Sequence, residues 1–226
     1  MASNPNEPLL RNSYALALLR QSDRRAVEGQ LRILQTRHAV SGVAKLLEAE
    51  IQLADNKRAE AVAALQQAVQ VNSELAQAYR LLGSIYATNK RYAEAAVAYQ
   101  TAIAVGSYDP ATFNELAYIM ASARVEPGLA VRLAQLAVAM EPVNPHLQDT
   151  LAWACYARGD YKRALEITTA LMKTPNPNPT YRFHHGMALL RNGDQKGYDE
   201  IRAAAEAEPK AEWLEQARRA LKGKLD

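Results

Sequence analysis

Apolar residues along this chain fall three and four apart in successive blocks, the spacing of helix faces, and nowhere alternate with the period of two that a strand needs. Short turns rich in Asn, Asp, Gly and Pro separate the blocks. Small residues mark a longer rhythm: Ala49, Gly83, Ala117, Ala152 and Gly186 follow one another at steps of 34, 34, 35 and 34, and Ala61, Ala95, Ala130 and Ala164 form a second row at the same pace. A period of this length holds one pair of helices. Such a pair cannot bury its own apolar face and must stack on its neighbours. The pattern predicts an all-α chain forming one elongated domain without an internal boundary, and it favours binding over catalysis.

The clearest unit runs from Ala76 to Asp109, where Tyr79, Leu82, Gly83, Tyr86, Ala95, Tyr99 and Ala102 are spaced Y-x2-L-G-x2-Y-x8-A-x3-Y-x2-A. This spacing resembles the tetratricopeptide repeat, TPR, in which an aromatic, Leu, Gly and Tyr share one helix and Ala and an aromatic share the next. Tyr79, Leu82 and Tyr86 line one face of a first helix, and Gly83 and Ala95 are where the two backbones should approach closely. The resemblance implies a right-handed superhelical solenoid of stacked antiparallel helix pairs.

Five repeats are expected, at 41–75, 76–109, 110–144, 145–178 and 179–208. Asp109-Pro110, Asn144-Pro145 and Asn178-Pro179 recur at the repeat step as a cap followed by proline at the first helical position. The third unit carries one extra residue, placed in the turn Ser122 to Gly128, with Pro127 beginning the next helix. In the fifth, Tyr198 occupies the slot of a small residue, which predicts looser or rotated packing. The unit at 41–75 is degenerate, and 9–40 reads as a degenerate helix pair with Ser22-Asp23 as turn and cap, or as one long helix. A polar, disordered start covers 1–8. Residues 209–226 form a capping helix and tail, with Trp213, Leu214, Ala217 and Leu221 on one face.

In the family the first helix of each pair lines the concave side. There the chain carries Arg80 and Ser84, then Asn114 and Tyr118, then Asp149, Trp153 and Tyr156, then Phe183, Met187 and Arg191. Tyr, Trp and Arg dominate hot spots of protein interfaces, so these residues are the candidate site for an extended peptide or partner helix. Trp153 and Tyr118 could equally fill the seam between adjacent repeats. Family members that grip a C-terminal carboxylate use a Lys and an Asn on the first clamp helix. Arg80 and Ser84 stand there instead, which argues against a chaperone tail.

Other chemistry finds little support. Cys155 is the single cysteine; His184 or His185 on the next repeat could meet it as a nucleophile pair, but Cys155 falls where the repeat wants a small buried contact. His38, His146, His184 and His185 lack metal-ligand spacing, and no phosphate loop is present, so no cofactor is expected. With 27 basic residues interspersed among 24 acidic ones and a net charge of +3, no single-sign field for nucleic acid emerges. The N-terminal pair is locally basic, with Arg11, Arg20, Arg24, Arg25, Arg32 and Arg37 against Asp23 and Glu28, a solvated face or a dock for an acidic partner. No run is apolar enough for a membrane span, and the composition favours the cytoplasm. The abrupt polar start also fits a trimmed chain, which would allow the periplasm.

A protein-interaction scaffold is the function these features point to. Self-association through the terminal helices, giving a homo-oligomer, is the alternative. The stretches Asp149-Thr-Leu-Ala-Trp and His185-Gly-Met-Ala-Leu-Leu-Arg-Asn-Gly-Asp are similar to bacterial cell-envelope repeat proteins that assist export.

Overall fold

The computed structural model describes residues 7–37 and 41–225. Residues 1–6 of the start expected to be disordered, together with His38, lie outside the described residues, whereas Glu7 and Pro8 belong to the first helix. Among the described residues thirteen α-helices form and no strand does. They fall into two compact units, Met1–Tyr108 and Asp109–Asp226, dividing at a cap where the sequence rhythm shows no break.

The first unit holds α1 (Glu7–Arg20), α2 (Arg24–Arg37), α3 (Val43–Ala54), α4 (Arg58–Val71), α5 (Ala76–Thr88) and α6 (Tyr92–Ala104). The stretch before the first full repeat is therefore two helices, and the Asp23 carboxylate accepts the Ala26 amide at 3.1 Å to start the second. Ala15, Ala49, Ala61, Leu65, Ala78, Ala95 and Ala102 are wholly buried between successive helices. Gly83 is needed for a specific approach: a Cβ there would lie 2.8 Å from the Tyr99 ring, so its tight partner on α6 is the side chain of Tyr99.

The second unit holds α7 (Pro110–Ala123), α8 (Pro127–Met140), α9 (Pro145–Arg158), α10 (Tyr161–Leu171), α11 (Pro179–Arg191), α12 (Gly197–Ala207) and α13 (Leu214–Leu221). Asp109, Asn144 and Asn178 each accept the amide two residues on, at 3.3, 3.0 and 2.8 Å, with proline first in the helix. Pro127 begins α8, as expected. At Tyr198, where the packing is expected to be looser or rotated, the two helices stay close. One residue earlier, Gly197 opens α12 directly against Gly186, where a Cβ on Gly197 would stand 2.4 Å from the Gly186 carbonyl oxygen. Close approach is kept by moving the small residue one position, which leaves Tyr198 half-buried. At the C-terminal end Trp213 stacks on Phe183, with centroids 4.6 Å apart and planes 7° from parallel, and donates its indole N–H to the Thr180 hydroxyl at 3.1 Å.

The turns inside the helix pairs carry the rhythm most regularly. Ser22, Asn56, Lys90, Arg124, Gly159 and Gly193 all adopt left-handed backbone, with φ of 61°, 59°, 60°, 54°, 88° and 84°. Each first helix of a pair is closed by a residue of positive φ, the usual way to end a helix before a tight reversal, and the longer α7–α8 turn adds a second at Glu126, with φ of 42°.

Candidate functional site

In the first unit, Arg80 and Ser84 project from α5, Arg80 half-buried and Ser84 exposed. Beside them lies a buried polar cluster that the sequence reading does not single out. Gln77 donates its amide to Glu50 Oε1, while Glu50 Oε2 and Asn12 Oδ1 are buried without a hydrogen-bond partner. Asn12 and Glu50 are only 1% and 7% exposed. Burial pushes the Glu50 carboxyl up to about 7, against the opposing pull of Asn12, the Arg80 charge and Gln77. The signal was present in the numbering: Glu50 stands one repeat step before Ser84, and Asn12 two steps before Arg80.

In the second unit the predicted residues come from α7, α9 and α11, and hydrogen bonds across repeats tie these helices together. His184 donates Nδ1–H to both Asp149 oxygens, at 2.9 and 3.0 Å, with the tautomer set by the carboxylate acceptor. The Tyr181 hydroxyl meets His146 Nδ1 at 2.8 Å, and Arg191 donates to the Tyr156 hydroxyl at 3.3 Å. All three pairs are separated by 35 residues, one more than the repeat step here, so each links a first helix to a place one residue on in the next. Trp153 is sandwiched between Tyr156, 4.9 Å away and 6° from parallel, and His184, 4.2 Å away and 15° from parallel. Its indole N–H donates to the Ser122 hydroxyl at 3.2 Å.

This geometry changes the part that several expected site residues can play. Phe183 and Met187 are 0% and 1% exposed, and Trp153, Tyr156 and Asp149 no more than 5%. They fill the seams between repeats and present almost no surface, because side chains on neighbouring first helices face each other before they face solvent. Asn114, also buried, keeps one polar atom, Oδ1, without a partner. Tyr118 and Arg191 are half-buried and within reach of a ligand, although Arg191 already donates to the Leu225 carbonyl at 2.9 Å. Burial raises the Tyr118 hydroxyl above the ordinary tyrosine range, and the Asp149, Glu212 and Glu115 charges add to it. Cys155 is wholly buried and its thiol is pushed up by that burial. The His185 Nδ1 meets the Thr168 hydroxyl at 3.0 Å.

Comparison with solved structures fits this arrangement of paired helices. YrrB, described as a TPR protein with an unusual peptide-binding site, superposes with a TM-score of 0.67 at 17% identity, over 84% of this chain and 97% of that one. Pseudomonas aeruginosa PilF gives 0.65 at 14% identity, over 96% and 99%. The type IV pilus biogenesis factor PilW gives 0.61 at 17%, over 92% and 97%. The chain has the tetratricopeptide-repeat fold. No family model and no curated protein matches the sequence. Among the described residues, no three His, Cys, Asp or Glu side chains are grouped to hold a metal, and no helix is long and apolar enough to cross a membrane.

Proposed function

We propose that the chain is a non-catalytic protein-interaction module that holds an extended peptide or a partner helix against the first helices of its repeats. One observation carries this reading: in the second unit the first helices α9 and α11 are braced across repeats by hydrogen bonds, His184 to Asp149 within the buried seam and half-buried Arg191 to Tyr156. Such bracing fixes rotamers before a ligand arrives and lowers the ordering cost of binding. The tetratricopeptide fold of a neighbour described as having a peptide-binding site is consistent with it.

The direct test uses the accessible residues, since truncating buried Trp153 would confound binding with folding. Capture of a partner from the native source should weaken by about tenfold or more in Tyr118→Ala combined with Arg191→Ala, at unchanged helix content. Undiminished capture by the folded double variant would exclude this face.

A second reading has its own observation. On α1, Leu9, Leu10 and Tyr14 are 43%, 63% and 56% exposed, an apolar stripe on the terminal helix that would suit packing against another copy. Light scattering should then show mass rising with concentration, whereas a monomer at every concentration removes self-association.

A further inference from the structure

We propose that the outward face of α1, with the arginines beside it, is a docking surface for an anionic lipid bilayer. It shares no residue with the peptide face. Leu9, Leu10, Ser13, Tyr14, Ala17 and Arg20 are all exposed and follow helical spacing, so they make one continuous strip of α1, opposite the buried strip of Asn12, Ala15 and Leu18. Leu10 and Tyr14 keep more than half of their surface in water. Their place in the repeat makes this exposure unusual. Leu10 stands one repeat step before Ala44 and two before Ala78, and both alanines are buried. Where α3 and α5 carry a small side chain inside the stack, α1 carries a large apolar one that stands out into solvent.

Charge selects the occupant. Six of the chain's 27 basic residues but only three of its 24 acidic ones lie in α1 and α2, so these two helices carry the whole +3 excess and the remainder is balanced. Arg11 is held by Glu7 and Gln30, and Arg24 by Asp55. Arg20, Arg25 and Arg32 are exposed, and among the described residues no ion pair engages them. They flank both ends of the apolar strip. Arg20 closes it and Arg25 stands in the first turn of α2, while Arg32 lies two residues past Gln30, whose bond from Arg11 sets it beside the start of α1. A second copy would bring the same positive charge against this face, and like charges oppose docking. Anionic headgroups bring the opposite sign over an extended plane and attract each arginine. The boundary beneath them takes up leucine and tyrosine side chains without needing a shaped pocket to receive them.

Sedimentation with lipid vesicles tests this on the full chain. Wild type should sediment with phosphatidylcholine vesicles carrying about 30% phosphatidylglycerol, and about tenfold less with phosphatidylcholine alone or at high salt. Arg25→Gln combined with Arg32→Gln should weaken binding by about fivefold for each arginine removed. Leu10→Ser combined with Tyr14→Ser should weaken it by about tenfold or more, and because both side chains are exposed its thermal melting should match wild type. The proposal is overturned if wild type stays in the supernatant, if it sediments equally with neutral vesicles, or if either double variant, folded by its melting curve, binds as well as wild type. Retention on immobilised poly-glutamate without sedimentation assigns the face to an acidic protein instead. Mass that rises with concentration in the absence of lipid, again without sedimentation, assigns it to a second copy. None of these outcomes bears on the peptide face, which the Tyr118→Ala, Arg191→Ala variant tests by itself.

Discussion

Gly186→Ala is expected to destabilise the second unit by about 3 kcal/mol, lowering its melting temperature by roughly 10 °C. The added Cβ would stand 2.7 Å from Ile201 Cγ1, 2.8 Å from the Gly197 carbonyl oxygen and 3.1 Å from the Ile201 amide nitrogen. Two of these three contacts are backbone, which cannot swing aside as the end of a long side chain would. Helices α11 and α12 must therefore separate, and well-packed interiors resist that. Gly29→Ala serves as the control, since that position in α2 has open space around it. It should gain up to about 1 kcal/mol from helix propensity alone. Thermal denaturation of the two variants should thus move in opposite directions, and an unchanged melting point for Gly186→Ala would mean that the two helices part without cost.

Glu50→Gln should have a comparable effect of the other sign, and only in neutral and alkaline solution. The Glu50 carboxyl is pushed by burial from its ordinary 4.5 to about 7 in the folded chain. Folded protein keeps this proton over a range where unfolded protein has given it up. The stability contributed is fully present below the unfolded value and is lost as pH rises through the folded one. Wild type should therefore lose about 3 kcal/mol between pH ~4.5 and ~7, then level off. Glutamine mimics the neutral acid in shape and has an N–H that can serve Asn12 Oδ1. The variant should be the more stable by about 3 kcal/mol at pH ~8, and indistinguishable from wild type near pH ~4.5. Urea denaturation of the first unit at the two pH values measures this, and parallel stability profiles for the two proteins would refute a neutral Glu50.

Residue spacing made the helix pairs, their caps and most of their small-residue contacts legible in advance, because each follows from local periodicity. Gly197 was missed for a reason of the same kind: α12 meets its partner at its first residue, so the small side chain sits one place ahead of the slot that Tyr198 fills. Trp153 shows a different limit. A residue facing a ligand and a residue facing the next repeat occupy the same position in the period, and only the side chains packed against it decide between them. For Trp153 the neighbours that matter are His184 and Tyr156, which close over it. Glu50 and Asn12 were hidden because a charged or amide residue among the other polar residues of its helix looks like solvent surface until its burial is known.

The six left-handed turns explain how a fold can outlast its signature. Ser, Asn, Lys, Arg and Gly all occupy the same backbone state at these places, and nothing in their chemistry beyond tolerance of that state is shared. The phase of the stack is therefore stored in where the chain reverses rather than in which residues do it. Comparison by residue identity reads only the latter, which accounts for a chain whose backbone superposes on known solenoids while no family profile matches its sequence. Drift in the helix faces is free to retune what is bound, so long as each reversal arrives on time.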